Sequence, residues 1–363
     1  MKNEIRVAIC GCHGKVDKFG RMINGFPESR VTAVYDEDPE KARRIAAQLE
    51  CPAAADYRDI LNDPEVDGVV IASTNDLHAE MVIAAAEAGK HIFLEKPLCM
   101  HLEEAYRIRD AVKTAGIKFF MSDPFVDPPT VYDRQMIASG RLGKLVHVHL
   151  TFCGNAVSFF VRSKEQIRDS AAGQGGGVMM DSGGHALHVL HYLLGRPVKV
   201  FAVLGYHDPN ARAFGWEKHA SVLLEYPDEL TVSLECGIAS TDYVNRLEIS
   251  GIRGALVDQG TLNHGYAVHY RLFDITEEEA AGMRFMDAAA RNPWIAVARS
   301  EMPEDPDDHI HYWIRMMAED LPNEAVGEDV KSTHGMGIEA AVEVMEMIDG
   351  IYRSAAAGTA VTL

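Results

Sequence analysis

Short apolar segments alternate with amphipathic segments over the first third of the chain. The apolar runs are typical of buried strands, and the segments between them carry apolar residues at helical spacing. The predicted strands are residues 6–10, 30–35, 68–73, 91–95 and 117–122. The predicted helices are residues 39–50, 77–89 and 102–116, and the last two end in glycine. This alternation predicts a parallel sheet covered by helices on both faces.

The pattern changes after residue 127. A helix is predicted near 131–139, and alternating apolar and polar positions then predict strands over 144–152, 198–206, 220–226, 230–237 and 246–251. Several of these strands follow one another without a helix between them, which indicates an antiparallel sheet. Helices are predicted near 178–194 and 334–356, and residues 155–177 are predicted to form a loop. We therefore expect an α/β protein. An N-terminal Rossmann domain with a parallel sheet spans 1–122, and an α/β domain with a large, mostly antiparallel sheet spans 123–363.

Charge and cysteine content exclude several classes of protein. The 363 residues include 35 Lys and Arg against 54 Asp and Glu, a formal net charge of −19, so nucleic acids and anionic membranes are unsuitable partners. No apolar run approaches the roughly 20 residues that span a bilayer, and a strand is predicted so near the N-terminus that no signal peptide is expected. The six cysteines form no C-x-x-C pair, which favours a reducing, cytoplasmic location.

A glycine-containing turn follows the first predicted strand. Dinucleotide-binding folds place G-x-G-x-x-G there, so that the backbone approaches the pyrophosphate at a helix N-terminus. Gly11 fits the first position, whereas His13 and Val16 occupy the other two and Gly14 restores some backbone freedom. A turn that binds nothing has the same appearance.

Asp36 ends the second predicted strand, where an acidic side chain accepts hydrogen bonds from the ribose hydroxyls of adenosine. Its carboxylate repels a 2′-phosphate, and Glu37 rather than an arginine follows it. These residues favour NAD over NADP. Asp36 is equally suited to a helix N-cap or a turn.

Two further motifs make the chain resemble the glucose–fructose oxidoreductase/inositol dehydrogenase (Gfo/Idh/MocA) family. Thr-Asn-Asp-Leu-His follows one strand at 74–78, and Glu-Lys-Pro ends the next at 95–97. The resemblance covers nearly the whole chain and is densest over 1–122 and 173–197. It implies a catalytic role for Lys96 beside the nicotinamide. The residues that it assigns to NAD binding are Gly11, Cys12, His13, Gly14, Asp36, Ser73, Thr74, Asn75, His78, Glu95 and Lys96.

A second group of polar residues lies on the helix predicted near 178–194. At 100° per residue, Asp181, His185, His188 and Tyr192 fall within roughly a 60° arc, opposite a leucine face. The family resemblance matches its Asp-x-x-x-His pair to Asp181 and His185, whereas His188 stands where the family commonly has Asp. Structural roles are favoured for His188 and His191. A metal site formed by His185 and His188 carries less weight because no further ligand is evident, so no metal is expected.

The residue types fit alcohol oxidation. A neutral imidazole removes the hydroxyl proton, an ammonium holds the developing alkoxide, and a carboxylate orients the imidazole or binds a neighbouring hydroxyl. These roles go to His185, Lys96 and Asp181, and either Lys96 or His185 is able to carry the proton. In the loop predicted before the helix, Phe160 is suited to stacking on a sugar, and Arg162 and Arg168 to holding an anionic group. A solvated loop is equally consistent with these three residues.

The sequence predicts an NAD-dependent oxidoreductase that acts on a secondary hydroxyl or ketone of a sugar, polyol or glycoside. Two alternatives stay open: a glycoside hydrolase or lyase that uses transient oxidation with retained NAD, and a non-catalytic NAD or sugar sensor. The resemblance also implies a homo-oligomer, a dimer or tetramer.

Overall fold

The computed structural model describes residues 4–13, 16–123, 125–155, 162–259, 267–273, 292–303, 309–321 and 335–363. The chain divides into two compact units. The first comprises Met1–Phe125, Ser170–Gly175 and Pro306–Glu346, and the second comprises Val126–Asp169, Gly176–Asp305 and Met347–Leu363. None of the helices in the described ranges is long and apolar enough to cross a membrane.

The longer strands are numbered in chain order. They are β1 (Ile5–Cys10), β2 (Ser29–Tyr35), β3 (Gly68–Ile71), β4 (His91–Glu95), β5 (Phe119–Ser122), β6 (Leu145–Asn155), β7 (Lys199–Gly205), β8 (His219–Glu225), β9 (Thr231–Gly237), β10 (Ala239–Gly251), β11 (Gly254–Asp258) and β12 (Val268–Leu272). Two-residue strands are formed by Ile295–Ala296, Gly335–Met336 and Val361–Thr362.

The α-helices are numbered in the same way. They are α1 (Val16–Gly25), α2 (Pro39–Gln48), α3 (Tyr57–Asn62), α4 (Asn75–Glu87), α5 (Leu102–Ala115), α6 (Pro128–Ala138), α7 (Lys164–Gln174), α8 (Gly184–Leu194), α9 (Pro209–Ala213), α10 (His309–Ala318) and α11 (Ile338–Ala357). A π-helical turn, Met179–Gly183, precedes α8, and short 3₁₀ turns lie at Pro227–Glu229 and Arg299–Glu301.

The sheet of the first unit runs in the order β2-β1-β3-β4-β5, and these strands pair in parallel. The short strand Gly335–Met336 adds antiparallel to β5. Parallel pairing brings the carboxyl ends of all five longer strands to one edge, where ligands bind in open α/β sheets. The predicted Rossmann sheet is confirmed, and each of its five longer strands begins and ends within two residues of its predicted bounds.

The core of the first unit includes a helix from late in the chain. Trp313 of α10 is fully buried, and its ring centroid lies 5.7 Å from that of Phe93 on β4. A Cβ on Gly68 would lie 2.9 Å from the Trp313 ring, so the glycine makes room for the indole. The apolar face of α10 therefore completes this core, which places 306–346 in the first unit although the sequence division at 122/123 put them in the second.

The second unit contains a nine-stranded sheet. Between the short strands Ile295–Ala296 and Val361–Thr362 the order is β12-β11-β10-β6-β9-β8-β7, and β6 with β9 is its parallel pair. Alternation is clear on β8, where Val222 and Leu224 are buried and Leu223 is 55% exposed. One face of the sheet therefore packs into the core, and the predicted mostly antiparallel sheet is confirmed.

Two predicted segments, the loop over 155–177 and the helix near 178–194, differ in part from the structure. Residues 164–174, predicted as loop, form α7 because Ser163 and Gln166 cap its start reciprocally: Ser163 N donates to Gln166 Oε1 at 2.8 Å, and Gln166 N donates to Ser163 Oγ at 3.3 Å. The helix predicted near 178–194 is present, but its first turn, Met179–Gly183, is π-helical. The 100° spacing assumed for Asp181 therefore does not apply to that turn.

Candidate active site and NAD cavity

The turn after β1 is shaped by Gly11. Its φ is +93°, and a Cβ there would lie 2.4 Å from both the carbonyl carbon of Ala72 and the backbone nitrogen of Ser73. The backbone N–H of Gly11 donates to Tyr35 O at 2.8 Å, and that of His13 donates to Ala72 O at 3.1 Å. Glycine is required here because the turn passes directly over the neighbouring strand end.

Asp36 fixes this turn from the end of β2. It is 8% exposed, and its Oδ2 accepts the backbone N–H of Cys12 at 2.6 Å while its Oδ1 accepts that of Asp38 at 2.9 Å. Burial and, next, the Asp36 carboxylate raise the pKa of the Cys12 thiol to about 12. Each carboxylate oxygen keeps further acceptor capacity beyond its one backbone hydrogen bond.

A cavity of about 530 Å³ opens at this edge of the sheet. It is lined by Gly11, His13, Tyr35, Asp36, Glu37, Asp38, Lys41, Tyr57, Ser73, Thr74, Leu77, Glu80, Met81 and Ala84. The carboxylates at the end of β2 are suited to accepting hydrogen bonds from hydroxyl groups, and they would repel phosphates. The apolar wall that α4 contributes is suited to packing against a flat heterocycle. The cavity therefore fits the adenosine half of NAD.

The residues after β3 form the opposite wall. Ser73 and Thr74 lie on the cavity, and Asn75 is the first residue of α4. His78 is 1% exposed, and its Nδ1 lies 2.7 Å from Pro97 O. Because a carbonyl only accepts, Nδ1 carries the hydrogen, and burial lowers the pKa of His78 below its ordinary value. His78 therefore ties the loop after β3 to the loop after β4.

Lys96 follows the last residue of β4, Glu95, and both are half-buried. Leu94 pairs with Ile71 of β3 and Glu95 pairs with Ser122 of β5, so the Lys96 backbone starts from the central part of the sheet edge. The peptide bond to Pro97 is cis. The Lys96 ammonium is thus carried at the end of β4. This strand neighbours β3, and the loop after β3 lines the cavity.

The second unit places Asp181 in the π-helical turn and His185 in the first turn of α8. His185 is 9% exposed and His188 is 3% exposed, whereas Asp181 is half-buried. The ring of His185 lies 6.3 Å from that of Phe152 on β6. Burial, with charges that include Asp181, raises the pKa of the Cys236 thiol on β9 well above its ordinary value. The unit therefore holds a carboxylate and two imidazoles on one buried helix.

The remaining predicted residues are dispersed. Arg162 lies with its guanidinium carbon 5.2 Å from the centroid of the Trp216 ring, and Arg168 is exposed and hydrogen-bonded to Asp169. Gly14 and Phe160 lie outside the described residues. Within the ranges that the structure describes, no three His, Cys, Asp or Glu side chains are grouped to hold a metal ion.

Sequence reasoning missed several cavity residues. Tyr35 and Tyr57 stack with ring centroids 5.8 Å apart, and Tyr57 Oη donates to Met81 O at 2.9 Å. Leu77, Met81 and Ala84 share one face of α4 by their spacing of four and three residues, which the sequence displayed. No local pattern marked Tyr57, because α3 reaches the cavity only through the fold.

Two family models match the chain. Residues 5–122 match the NAD-binding Rossmann fold of the Gfo/Idh/MocA oxidoreductase family, and residues 132–257 match the C-terminal domain of the same family. The boundary between the two matches lies where the parallel sheet ends and the mostly antiparallel sheet begins.

Characterised relatives show the same likeness. The chain is 28% identical over 277 residues to 2,7-anhydro-N-acetylneuraminate hydratase of Escherichia coli K12, covering 72% of this chain and 71% of that one. It is 26% identical over 275 residues to the NAD⁺-dependent scyllo-inositol 2-dehydrogenase of Bacillus subtilis 168, covering 73% and 76%. A solved structure of levoglucosan dehydrogenase with NADH and levoglucosan has a TM-score of 0.79 at 21% identity and covers 99% of both chains.

The sheet edge, its cavity and the two matched domains agree on one conclusion. The first unit is an NAD-binding Rossmann domain, and the chain belongs to the Gfo/Idh/MocA family of oxidoreductases.

Proposed function

We propose that the protein is an NAD-dependent dehydrogenase or reductase of a secondary hydroxyl or ketone in a sugar, polyol or glycoside. The observation that carries the proposal is the position of Lys96. It directly follows β4, which neighbours the strand whose loop lines the NAD cavity. An ammonium at that edge is suited to a developing alkoxide.

When bound, NAD would supply the acceptor for the hydride of the carbinol carbon, and the protein residues would handle the proton and the charge. His185 takes the hydroxyl proton in the oxidation direction, since a neutral imidazole is a suitable base near pH 7. The Lys96 ammonium holds the alkoxide and, in reduction, polarises the carbonyl. Asp181 orients the imidazole or binds a neighbouring hydroxyl. In the alternative assignment, Lys96 rather than His185 carries the proton.

The cavity supports NAD rather than NADP as the preferred cofactor. Asp36, Glu37 and Asp38 supply three carboxylates around the position of the ribose, and Lys41 is the cation among the cavity residues. A 2′-phosphate there would meet net negative charge. We assign the remaining cofactor contacts to Gly11, Cys12, His13, Gly14, Ser73, Thr74, Asn75, His78 and Glu95, and the further substrate contacts to Phe160, Arg162 and Arg168.

One relative favours a second candidate. The hydratase of Escherichia coli K12 is named for net addition of water rather than net oxidation. A redox-assisted hydratase, lyase or glycosidase with retained NAD uses the same proton carrier and the same alkoxide-binding ammonium. The second candidate therefore needs a separate test.

A substrate panel separates the two. The purified protein is incubated with NAD and inositols, aldoses, 1,6-anhydrosugars or nitrophenyl glycosides, and absorbance at 340 nm is followed beside product analysis. A dehydrogenase forms NADH in proportion to product, whereas the second candidate forms product without net NADH. Lack of both with every member of the panel would count against the proposal.

We also propose self-association through the open face of the second sheet. Val203 on β7 is 56% exposed and Leu223 on β8 is 55% exposed, and the strand register places them as diagonal neighbours on that face. Light scattering after size exclusion should give a dimer or tetramer, and Leu223→Arg should shift it toward the monomer. A monomer at micromolar concentration would contradict this proposal.

A cytoplasmic location is proposed on the cysteines. All six are free thiols in the structure, including the buried Cys10, Cys99 and Cys236. Free buried thiols persist in a reducing compartment.

A further inference from the structure

The start of the helical segment that carries Asp181 and His185 is held by a distant carboxylate. Glu217 is fully buried, and its Oε2 accepts the backbone N–H of Gly177 at 2.9 Å while its Oε1 accepts that of Met179 at 2.9 Å. N–H groups at a helix start have no partner within the helix, and a negative charge there is favourable. Glu217 therefore caps this segment from outside it.

The backbone of Glu217 takes part as well. Val178 N donates to Glu217 O at 2.8 Å, so three successive residues, 177 to 179, donate their backbone N–H groups to the same glutamate. A Cβ at Gly177 would lie 2.0 Å from Glu217 O and 2.4 Å from Glu217 N. Gly177 thus permits a close approach that fixes the helix start in register with residue 217.

A residue of α11 provides a further hydrogen-bond donor to the Glu217 carboxylate. Tyr352 Oη donates to Glu217 Oε1 at 2.9 Å. Burial first, and the Glu217 charge second, raise the pKa of Tyr352 well above its ordinary value, so the hydroxyl keeps its proton and donates. Burial also raises the pKa of Glu217, and the hydrogen bonds from Met179, Tyr352 and Gly177 oppose that effect. The carboxylate oxygens of Glu217 therefore accept hydrogen bonds from two backbone N–H groups and one phenol hydroxyl.

We propose that Glu217 is a positioning residue for the active site. Glu217 fixes the start of the helical segment. In this segment Asp181 lies two residues after Met179, and His185 lies four residues after Asp181. Its loss displaces both side chains without removing either, and a misplacement of about 1 Å costs up to roughly 10²-fold in rate. This inference rests on the proposed function of Asp181 and His185.

Glu217→Gln tests the proposal because it keeps the volume and removes the charge and one acceptor. One backbone N–H then faces the amide NH₂ group. We expect kcat on the substrate found with the panel to fall roughly 10- to 100-fold per folded molecule, with KM and Kd for NAD unchanged. A purely structural role would lower the melting temperature and leave kcat per folded molecule unaltered, which would overturn the proposal.

Glu235→Gln is the matched control. Glu235 lies on β9 of the same unit, and its Oε2 accepts from Ser221 Oγ at 2.8 Å and lies 2.9 Å from His219 Nε2, away from the helix start. Its substitution should leave kcat unchanged. An equal loss in this control would show that any buried or half-buried glutamate in the unit has the effect, which would overturn the assignment to Glu217.

Hydrogen exchange tests the cap without any substrate. Amides of residues 176–187 should exchange at least about tenfold faster in Glu217→Gln than in the unmodified protein or in Glu235→Gln. If the panel yields no activity, the proposed function fails while this measurement still reports on the cap. Unchanged exchange, or faster exchange with unchanged kcat, would overturn the positioning role.

Two further variants keep the proposal testable if Glu217→Gln misfolds, and they test whether Glu217 acts on turnover through the side chains that it positions. Tyr352→Phe removes one hydrogen bond and keeps the carboxylate on both N–H groups, and should lower kcat roughly threefold to tenfold. In the His185→Ala background, Glu217→Gln should cause a smaller loss than in the unmodified protein, because one of the two side chains that it positions is gone. A fully additive loss, or no effect of Tyr352→Phe, would contradict the proposal.

Discussion

Each of the two units uses a carboxylate to hold the backbone N–H groups of a glycine-containing turn. In the first unit Asp36 holds the turn that begins at Gly11, through the N–H of Cys12. In the second unit Glu217 holds the segment that begins at Gly177, through that residue and Met179. The local chemistry is the same in both.

The surroundings differ. Asp36 lies on the wall of a cavity, and each of its oxygens makes one backbone hydrogen bond, so both keep capacity for a ligand hydroxyl. Glu217 is enclosed, and Tyr352 takes the acceptor capacity that a ligand would use. We therefore expect a carboxylate that supports a turn to act as a binding residue where its remaining side is open to a cavity, and as a positioning residue where protein groups close that side.

The largest expected effect comes from the two side chains proposed to act on the reacting atoms, rather than from either carboxylate. Lys96→Ala and His185→Ala should each lower turnover by about 10²–10⁴-fold, since each removes proton transfer or alkoxide stabilisation. Stopped-flow or steady-state absorbance at 340 nm measures this, and calorimetry should show NAD binding retained in His185→Ala. His191→Ala, on the same helix, is the matched control and should keep its turnover. Near-normal turnover in either active-site variant would show that the site is misassigned.

The next effect concerns the scaffold that carries the Asp36 turn. Trp313→Ala should lower the free energy of unfolding by about 3–5 kcal/mol, because it leaves a cavity beside Phe93. Urea denaturation measures the change. Trp294, which is 42% exposed, provides the control, and Trp294→Ala should cost far less. Equal losses for the two tryptophans would contradict the placement of α10 in the first core.

The preference for NAD over NADP tests whether Asp36 acts as a binding residue. Asp36→Ala should narrow the preference for NAD over NADP by about tenfold, since it removes the charge that repels a 2′-phosphate and a partner of the ribose hydroxyls. Titration of both cofactors by fluorescence gives the ratio. Glu37→Ala, a neighbouring carboxylate on the same cavity, should change the ratio less. Equal affinity of the unmodified protein for NAD and NADP would exclude Asp36 as the selector.

A third carboxylate extends the comparison, because it lacks such donors. Asp133 on α6 is fully buried, and neither oxygen hydrogen-bonds to any residue in the described part of the chain. Burial first, and then the charges of Asp258 and Asp127, raise its pKa well above the ordinary value of 3.8. The folded state therefore holds a proton that the unfolded state has lost, so stability falls as pH rises above the ordinary carboxyl range.

Asp133→Asn removes that penalty. It should raise the free energy of unfolding by about 1 kcal/mol at pH 7.5 and by less at pH 4.5, because the cost of keeping this carboxyl protonated in the folded state is smaller near the ordinary carboxyl pKa. Urea unfolding at the two pH values measures it, with the exposed Asp169→Asn as control. Destabilisation of equal size at both pH values would contradict the raised pKa.

The first unit was the more predictable of the two because its function follows from element order. Parallel strands carry their carboxyl ends to one edge, so motifs that end β1, β2, β3 and β4 were bound to converge. Helices α2, α4 and α5 were predicted from their apolar spacing, whereas α1 and α3 were not predicted. Trp313 was not assignable to the first core, since nothing local tells which sheet a late amphipathic helix covers.

The second unit was predictable as a sheet with an inserted helix, and less so as a site. Asp181 and His185 were predicted from helical spacing together with the family resemblance, whereas the π-helical turn that contains Asp181 did not follow from a 3.6-residue period. Glu217 gave no sequence signature as a cap, because it lies 40 residues beyond Gly177 and acts only after tertiary folding.

The contact of Tyr352 with Glu217 also sets an order of assembly during synthesis. Gly177 leaves the ribosome first, Glu217 follows it, and Tyr352 comes 135 residues after Glu217. At about 5–20 residues per second, that last interval is roughly 7 to 27 s. During this time the nascent helical segment that carries Asp181 and His185 lacks the hydrogen bond between Tyr352 and Glu217. The cap of this segment is therefore complete only when the C-terminal helix has been made and has docked.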